Sequence, residues 1–300
     1  MSSERLGEEI HFYRKKADLS QGELAKGICS QSAISRIEAG EVYPSIDVLY
    51  LIALKLHVPI EHFLNVTFHD YTYYIKETIK TIESLNKAKR YQEVYEITSL
   101  ELKNKKTKNH IWFNQFLYWN FYMSCFYINK IDYLECIHNL ENLCVNEDTI
   151  TKKSFQELRI KNVIANLYAE NKHYPESIQY YNDLVASLNS SNLAFDYEGE
   201  ILLIKIYYNY GKTLYAADLI GEAINIIDNG IKLSKELENI SYLGQLYYQK
   251  GLCLETKKEK VTNISELYIN AYRIFEILDK KEYLNITLEK KRKFIAPILN

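Results

Sequence analysis

Apolar residues recur at helical spacing along almost the whole chain. Near the N-terminus, Leu6, Ile10 and Tyr13 lie three or four positions apart and therefore share one face of a helix. The 300 residues include 10 Gly and 4 Pro, so tight turns are rare and an all-β architecture is disfavoured. The pattern predicts an all-α protein with long helices. No apolar run approaches 18 residues, so we expect no membrane span.

Signals that begin or end a helix punctuate the first 65 residues. Ser20 followed by Glu23 has the pattern of a capping box, which predicts a helix that begins at Gln21, and Gly27 predicts its end. Two short helices separated by a Gly turn, inside five helices, predict a helix-turn-helix domain over residues 1–66, which we call the head. Further along, Ser30 and Ser45 predict the starts of the third and fourth helices, Gly40 predicts the end of the third, and Pro59 predicts the start of the fifth.

Residues 19–45, LSQGELAKGICSQSAISRIEAGEVYPS, resemble the DNA-binding domain of the Cro and phage-repressor family. The marks are the SQ pair that opens the second helix, LA in its middle, S-x-I-S-R-I-E-x-G in the third helix, and PS before the fourth. The resemblance implies that double-stranded DNA is a partner and that the third helix enters the major groove.

The third helix should turn its polar side to DNA, because Ile34 and Ile37 point inward. Gln pairs bidentately with adenine and Arg with guanine, but Arg36 suits a phosphate equally well, so its base contact stays open. Side chains and N–H groups at helix N-termini hold phosphate oxygens. The candidate DNA-binding residues are Gln21, Ser30, Gln31, Ser32, Ser35, Arg36 and Tyr43.

The charge of the head limits how it binds DNA. Residues 1–65 carry seven Lys and Arg against nine Asp and Glu. Such a head gains little non-specific attraction to phosphates, so one copy should bind weakly. We therefore expect a homodimer that binds the two half-sites of a palindromic operator together.

A self-similar unit recurs five times from about residue 70 onward. Its anchors, at spacings of 42, 41, 46 and 40 residues, are Ile82, Ser124, Ala165, Gly211 and Gly251. A bulky residue follows each anchor by three positions. In the first four units, a second-helix residue at a close helix contact follows by twelve, and the fifth unit needs a one-residue insertion there. The pattern resembles tetratricopeptide repeats and predicts a superhelix over residues 70–300 with a capping helix at 279–297. A helical connector at 67–78 should join it to the head, whose fifth helix we expect to end near Leu64.

The first helix of each unit should line the concave wall of that superhelix. Its second, fifth and ninth positions are mostly polar or aromatic, whereas a packing face would carry Leu and Val. Asn and Gln amides pair with the N–H and C=O groups of an extended peptide, and rings form apolar pockets. Alternatively, these residues only solvate an empty groove. The wall positions are Lys76, Tyr118, Phe121, Asn162, Asn166, Lys205, Tyr208, Lys212, Gln245 and Tyr248.

A repressor-type head followed by five such units resembles the Rap/Rgg/NprR/PlcR/PrgX group, the cytosolic peptide-sensing regulators of Gram-positive bacteria. The resemblance is strongest at residues 31–45, 89–95, 164–171 and 243–251. It implies a quorum-sensing transcription regulator that is switched by a short signalling peptide in the groove. It also implies five peptide contacts, two of which are wall positions already derived. These residues are Lys87, Lys89, Asn162, Asn209 and Gln245.

Other classes of function find less support. The net charge of −2 excludes a strongly basic nucleic-acid coat protein. The seven His show no metal-ligand spacing, and phosphate-loop and nucleophile-elbow motifs are missing, so we expect no enzyme, metal or cofactor. Five scattered Cys and the lack of a signal peptide predict a reduced, cytoplasmic protein. A thiol-based redox sensor and a repeat protein that acts on a protein target remain as alternatives.

Overall fold

The computed structural model describes residues 2–104, 110–144, 155–190 and 197–298. Within these ranges, α-helices are joined by turns and short connections. The chain divides into two compact units, Met1–Arg90 and Tyr91–Asn300. The all-α class is confirmed.

The described part of the first unit contains five helices, which include the predicted helix-turn-helix. They are α1 (Ser2–Lys16), α2 (Gln21–Ala25), α3 (Gln31–Glu38), α4 (Ile46–Leu56) and α5 (Ile60–Lys87). The predicted caps form, since the hydroxyls of Ser20, Ser30 and Ser45 accept hydrogen bonds from backbone N–H groups in the first turns of α2, α3 and α4. Gly27 has a φ of 81°, which lets the chain turn between α2 and α3.

The core of the head receives at least one fully buried side chain from each of the five helices. These side chains are Ile10, Leu24, Ile34, Ile52 and Phe63. Ile34 and Ile37 face this core, as their spacing in the sequence predicts. Burial of the inner side of α3 leaves its polar side to face outward.

The fifth helix is longer than expected. It does not end near Leu64 but continues through the predicted connector to Lys87. The segment contains neither Gly nor Pro, so nothing stops the helix. The buried Ile75 and Ile82 give its second half an apolar face. The side chains of residues 67–72 lie outside the described residues.

The second unit is a stack in which each helix packs against the next one along the chain. The first helices of neighbouring units also contact one another, since α9 packs on α11 and α11 on α13. This arrangement gives one layer of first helices, as the repeat pattern predicts. The helices are α6 (Tyr91–Glu101), α7 (Ile111–Tyr127), α8 (Tyr133–Cys144), α9 (Phe155–Glu170), α10 (Tyr174–Ser190), α11 (Tyr197–Ala216), α12 (Ile220–Glu236), α13 (Leu243–Thr256), α14 (Val261–Ile277) and α15 (Lys281–Ile295), with a 3₁₀ turn at Ala296–Ile298.

Small residues at the repeat anchors allow the paired helices to approach closely. A Cβ atom on Gly211 would lie 2.4 Å from Cγ1 of Ile227, so α11 and α12 meet there without room for a side chain. In the third unit, the Ser177 hydroxyl donates to the carbonyl of Ala165 at 2.7 Å and joins α10 to α9. The predicted capping helix is α15, whose Phe294 and Ile295 are buried.

Candidate functional site

The outer side of α3 is the candidate DNA-binding surface. Its four predicted residues are all exposed: Gln31, Ser32, Ser35 and Arg36. Tyr43 follows the helix and has a relative exposure of 53%. These side chains form a neutral and cationic surface of hydrogen-bonding groups, which suits base edges and phosphates.

Arg36 forms a weak ion pair beside this surface. Its Nε lies 3.4 Å from Oε2 of Glu41, and both side chains are about 60% exposed. Solvent screens such a pair, so it holds the guanidinium loosely. Arg36 can therefore turn toward a phosphate or a guanine at small cost.

The two DNA-binding residues predicted at helix N-termini, Ser30 and Gln21, have different surroundings. The Ser30 hydroxyl caps α3 through the N–H of Ala33 at 3.1 Å and lies 2.9 Å from the hydroxyl of Ser32. The side chain of Gln21 instead turns into the head, where its Nε2 donates to Oε2 of Glu38 at 3.0 Å. The structure thus places Ser30 on the candidate surface and gives the Gln21 amide an internal partner.

Glu38, at the end of α3, is the centre of a polar network that sequence reasoning missed. Arg14 of α1 binds the Glu38 carboxylate in bidentate fashion, with Nε donating to Oε1 at 2.6 Å and Nη2 to Oε2 at 2.7 Å. Both side chains are 4% exposed. Burial alone would raise the pKa of Glu38, but hydrogen bonds from Arg14, Gln21 and His11 outweigh it and lower the pKa to about 2. The helix α3 is therefore held to α1 by a buried charge pair.

Asn162 and Asn209 form the centre of the wall in the second unit. Asn209 Nδ2 on α11 donates to Asn162 Oδ1 on α9 at 3.2 Å, and the two residues are 8% and 2% exposed. The structure thus brings together two residues that the sequence singled out on different grounds. Their mutual bond satisfies one donor and one acceptor that an extended peptide backbone would otherwise satisfy.

Tyrosine rings continue the wall from α11 towards α15. Tyr208 lies 6.0 Å, between ring centroids, from Tyr242 just before α13. Burial raises the pKa of Tyr208, and the neighbouring Tyr283, Tyr242 and Tyr248 add to that effect. These phenols therefore stay neutral and serve as apolar surfaces with hydrogen-bonding tips. Tyr242 and Tyr283 were not among the predicted residues.

Cationic side chains border the same wall. Lys205 on α11 is partly buried, and its pKa is lowered by burial and by the neighbouring charge of Arg159. Arg159 on α9 places its Cζ 5.5 Å from the Trp119 ring centroid and 5.6 Å from that of Phe155. Gln245, 4% exposed, lines a cavity near the start of α15 together with Lys280. Arg159 and Lys280 were not among the predicted residues either.

The remaining predicted wall residues have other neighbours. Asn166 accepts a hydrogen bond at 3.0 Å from the hydroxyl of Tyr181, which belongs to α10. Phe121 stacks on Tyr95 of α6, with ring centroids 5.5 Å apart. Tyr248 meets Tyr268 of α14 edge to face at 5.3 Å. The wall residues Lys76, Tyr118 and Lys212 have exposed side chains, as do Lys87 and Lys89, which only the family resemblance indicated. The first unit contains Lys76, Lys87 and Lys89.

The fold and these sites define a class of protein: a helix-turn-helix DNA-binding domain joined to a helical repeat domain with a polar and aromatic wall. Residues 10–63 match the helix-turn-helix family, and residues 79–296 match the RNPP family C-terminal domain. The chain belongs to the RNPP family, which is a family of DNA-binding regulators.

Three solved structures illustrate the similarity. PlcR of Bacillus thuringiensis, in complex with the peptide PapR7 and DNA, is 35% identical with a TM-score of 0.78, and the match covers 96% of this chain and 100% of that one. PlcR in its apo form is 33% identical with a TM-score of 0.69, over 96% and 99% of the two chains. ComR from S. thermophilus, solved with DNA and its signalling peptide ComS, is 16% identical with a TM-score of 0.60, over 96% and 99%, and supports the fold alone. No curated protein sequence matches significantly.

The described ranges contain neither a membrane-spanning helix nor a metal-binding cluster. None of the helices there is both long and apolar enough to cross a membrane. Nor do His, Cys, Asp and Glu side chains come together there in a group of three or more that suits a metal ion.

Proposed function

We propose that this chain is a peptide-responsive transcription regulator. Its head binds operator DNA through α3, and the wall of its repeat domain binds a short signalling peptide. The observation that carries the proposal is the coexistence of an exposed hydrogen-bonding surface on α3 with the buried Asn162–Asn209 pair. The 35% identity to a regulator solved with both a peptide and DNA supports it.

For the DNA complex, we assign base contacts to the residues that α3 exposes and backbone contacts to its N-terminal cap. Gln31, Ser32, Ser35 and Arg36 face the major groove, while Ser30 and Tyr43 meet phosphates. The side-chain amide of Gln21 is already bonded to Glu38. We therefore assign Gln21 a contribution to DNA binding only through its position at the start of α2.

For the peptide complex, we assign backbone recognition to Asn162, Asn209 and Gln245. The peptide replaces the bond between the two Asn side chains with bonds to its own N–H and C=O groups, so little hydrogen-bonding energy is lost. Tyr208 and Tyr248 contact apolar side chains of the peptide. The further peptide contacts are assigned to Lys87, Lys89, Tyr118, Phe121, Asn166 and Lys205.

The regulator acts as a homodimer on a palindromic operator in the cytoplasm and has no catalytic role. Peptide binding favours one conformation of the repeat domain and so changes how well two heads fit two half-sites. The net negative charge of the head, from seven Lys and Arg against nine Asp and Glu in residues 1–65, makes binding depend on both heads.

The redox-sensing alternative has little chemical support. Burial raises the pKa of Cys136 and of Cys144 to about 12 and that of Cys253 to about 11. Thiols with such pKa values stay protonated and react slowly with oxidants. A repeat protein without a DNA-binding role would have no need for the exposed polar surface of α3.

Selection of DNA by the full-length chain tests the proposed function. The wild-type chain is incubated with random-sequence duplexes, and the retained DNA is sequenced. We expect a site with two-fold symmetry, bound by the Arg36→Ala variant about 1–3 kcal/mol more weakly at fixed salt. Lys15→Ala, which removes an exposed cation from α1, is the matched control. Retention of DNA without any sequence preference would contradict the proposal.

A further inference from the structure

A cavity of 470 Å³ lies between the start of α13 and the start of α15, at the end of the tyrosine wall. Its size is within the range of pockets that hold small ligands or a few side chains. The lining residues are Ser241, Tyr242, Gln245, Lys280, Lys281, Glu282 and Tyr283.

The Lys280 ammonium group in this cavity has neutral partners. Its Nζ donates to the carbonyl oxygen of Ser241 at 2.5 Å and, more weakly, to Oε1 of Gln245 at 3.4 Å, and lies 5.5 Å from the Tyr242 ring centroid. Across the described ranges, no carboxylate forms an ion pair with it. Glu282, which lines the same cavity, is exposed to solvent.

Two other partly buried lysines of this unit have carboxylate partners. Lys250 pairs with Asp228 at 2.6 Å, and Lys291 pairs with Glu255. Lys280 is likewise partly buried, and burial lowers its pKa, yet a compensating negative charge is absent from its described surroundings. A desolvated charge with only neutral acceptors is costly, whereas a carboxylate would form a short charge-assisted hydrogen bond with it.

The wall that leads to this cavity is also short of negative charge. Tyr208, whose ring meets that of Tyr242, lies one turn after Lys205 on α11. The Lys205 ammonium group forms neither a hydrogen bond nor an ion pair within the part of the chain that is described, and its charged neighbour is Arg159. An elongated ligand that follows this wall would meet cations at both ends of the tyrosine cluster.

We propose that Lys280 binds a carboxylate of the signalling peptide in this cavity, which makes the ligand class a peptide with an acidic side chain or a free C-terminus at that point. The inference rests on the proposed peptide binding and adds the chemistry that the peptide must carry. Lys280 is then a specificity-determining residue, and its third N–H group is available for the ligand.

Two matched heptapeptide libraries test this inference with the full-length chain. The first contains peptides with every type of side chain and a free C-terminus. The second is amidated at the C-terminus and has Asn and Gln in place of Asp and Glu. Libraries that carry only one of these two changes then show whether the bound carboxylate is a side chain or the C-terminus. Wild-type protein and the variants Lys280→Met, Lys280→Arg and Lys290→Met are each incubated with both libraries, and the retained peptides are quantified by mass spectrometry. Lys290 is exposed on α15, so its variant is the control for a lost charge.

We expect the wild-type chain and Lys290→Met to prefer the first library about tenfold or more, as a charge-assisted bond implies. Lys280→Met should lose that preference, and Lys280→Arg should keep most of it. Equal retention of both libraries by the wild-type chain, or an unchanged preference in Lys280→Met, would overturn the inference while leaving peptide binding intact. Retention of neither library would instead contradict the proposed function and the inference with it. Melting curves confirm that each variant is folded.

Discussion

The head and the repeat domain place their polar groups in opposite ways. In the head, a buried ion pair between Arg14 and Glu38 fixes α3 from behind, and the side chains assigned to DNA lie in solvent. In the repeat domain, Asn162 and Asn209, which are assigned to the peptide, are themselves buried and bonded to each other. The head thus presents a preformed surface, whereas the wall must exchange internal bonds for bonds to its ligand. We expect mutation of the buried ion pair in the head to affect mainly stability, and mutation of the wall to affect the response to the peptide as well as stability.

The largest expected effect comes from Glu38→Ala. The substitution leaves the Arg14 guanidinium, 4% exposed, without its partner, which should destabilise the head by about 3–5 kcal/mol. Hydrogen exchange of the α1 and α3 amides in the full chain measures this loss. Slow exchange that matches the wild-type chain would mean that the ion pair does not hold α3.

Acid should weaken the same region. The pKa of Glu38 is lowered from 4.5 to about 2, so its charged form stabilises the head fully above pH 4.5. That stabilisation is lost progressively as the pH falls from 4.5 towards 2. The measurement is the pH dependence of amide exchange in α3, with Glu38→Gln for comparison. The variant should show a flatter dependence, and an identical slope in both proteins would contradict the role of Glu38.

Asn162→Ala should affect the repeat domain and its peptide binding while leaving the head and its DNA binding nearly unchanged. It removes the acceptor for Asn209 Nδ2, so we expect a loss of about 1–3 kcal/mol in the stability of the second unit. We also expect it to abolish binding of the peptides recovered from the library, while operator binding without peptide stays nearly unchanged. Calorimetry with one such peptide gives the affinity, and Asn225→Ala, an exposed site on α12, is the control. Wild-type peptide affinity in Asn162→Ala would refute the assignment of the wall.

Glu41→Gln should have the smallest effect. Its exposed ion pair with Arg36 contributes little to stability, so unfolding should change by less than about 0.5 kcal/mol. Operator affinity should rise slightly, because a negative charge beside the DNA surface is removed. Titration of the selected duplex at two salt concentrations checks this, and weaker binding at both would show that Glu41 positions Arg36 for DNA.

Features that depend on local spacing, such as helix starts and repeat anchors, were the most predictable from the sequence. Ser20 with Glu23, Ser30 and Ser45 mark helix starts through contacts within one turn, and α4 begins directly after Ser45. The repeat anchors were equally informative, because a small residue such as Gly211 is required wherever two helices meet closely.

Partners distant in sequence were not predictable in this way. Arg14 and Glu38 are 24 positions apart, and neither spacing nor composition indicates that they meet. Lys280 lies between the last repeat and its cap, outside the positions that define the wall. Asn166 occupies a wall position by count, yet it bonds to Tyr181 of α10, because helical periodicity gives the side of a residue but not the partner it selects.

The central claim is that the wall and the head are coupled. The most direct test measures the affinity of the full-length chain for its selected duplex, without peptide and with a saturating library-derived peptide. Coupling between sites typically corresponds to about fivefold or more, and the duplex must change the affinity for the peptide by the same factor. We predict such a reciprocal change in the wild-type chain and none in Asn162→Ala. Equal duplex affinities with and without bound peptide would contradict the account.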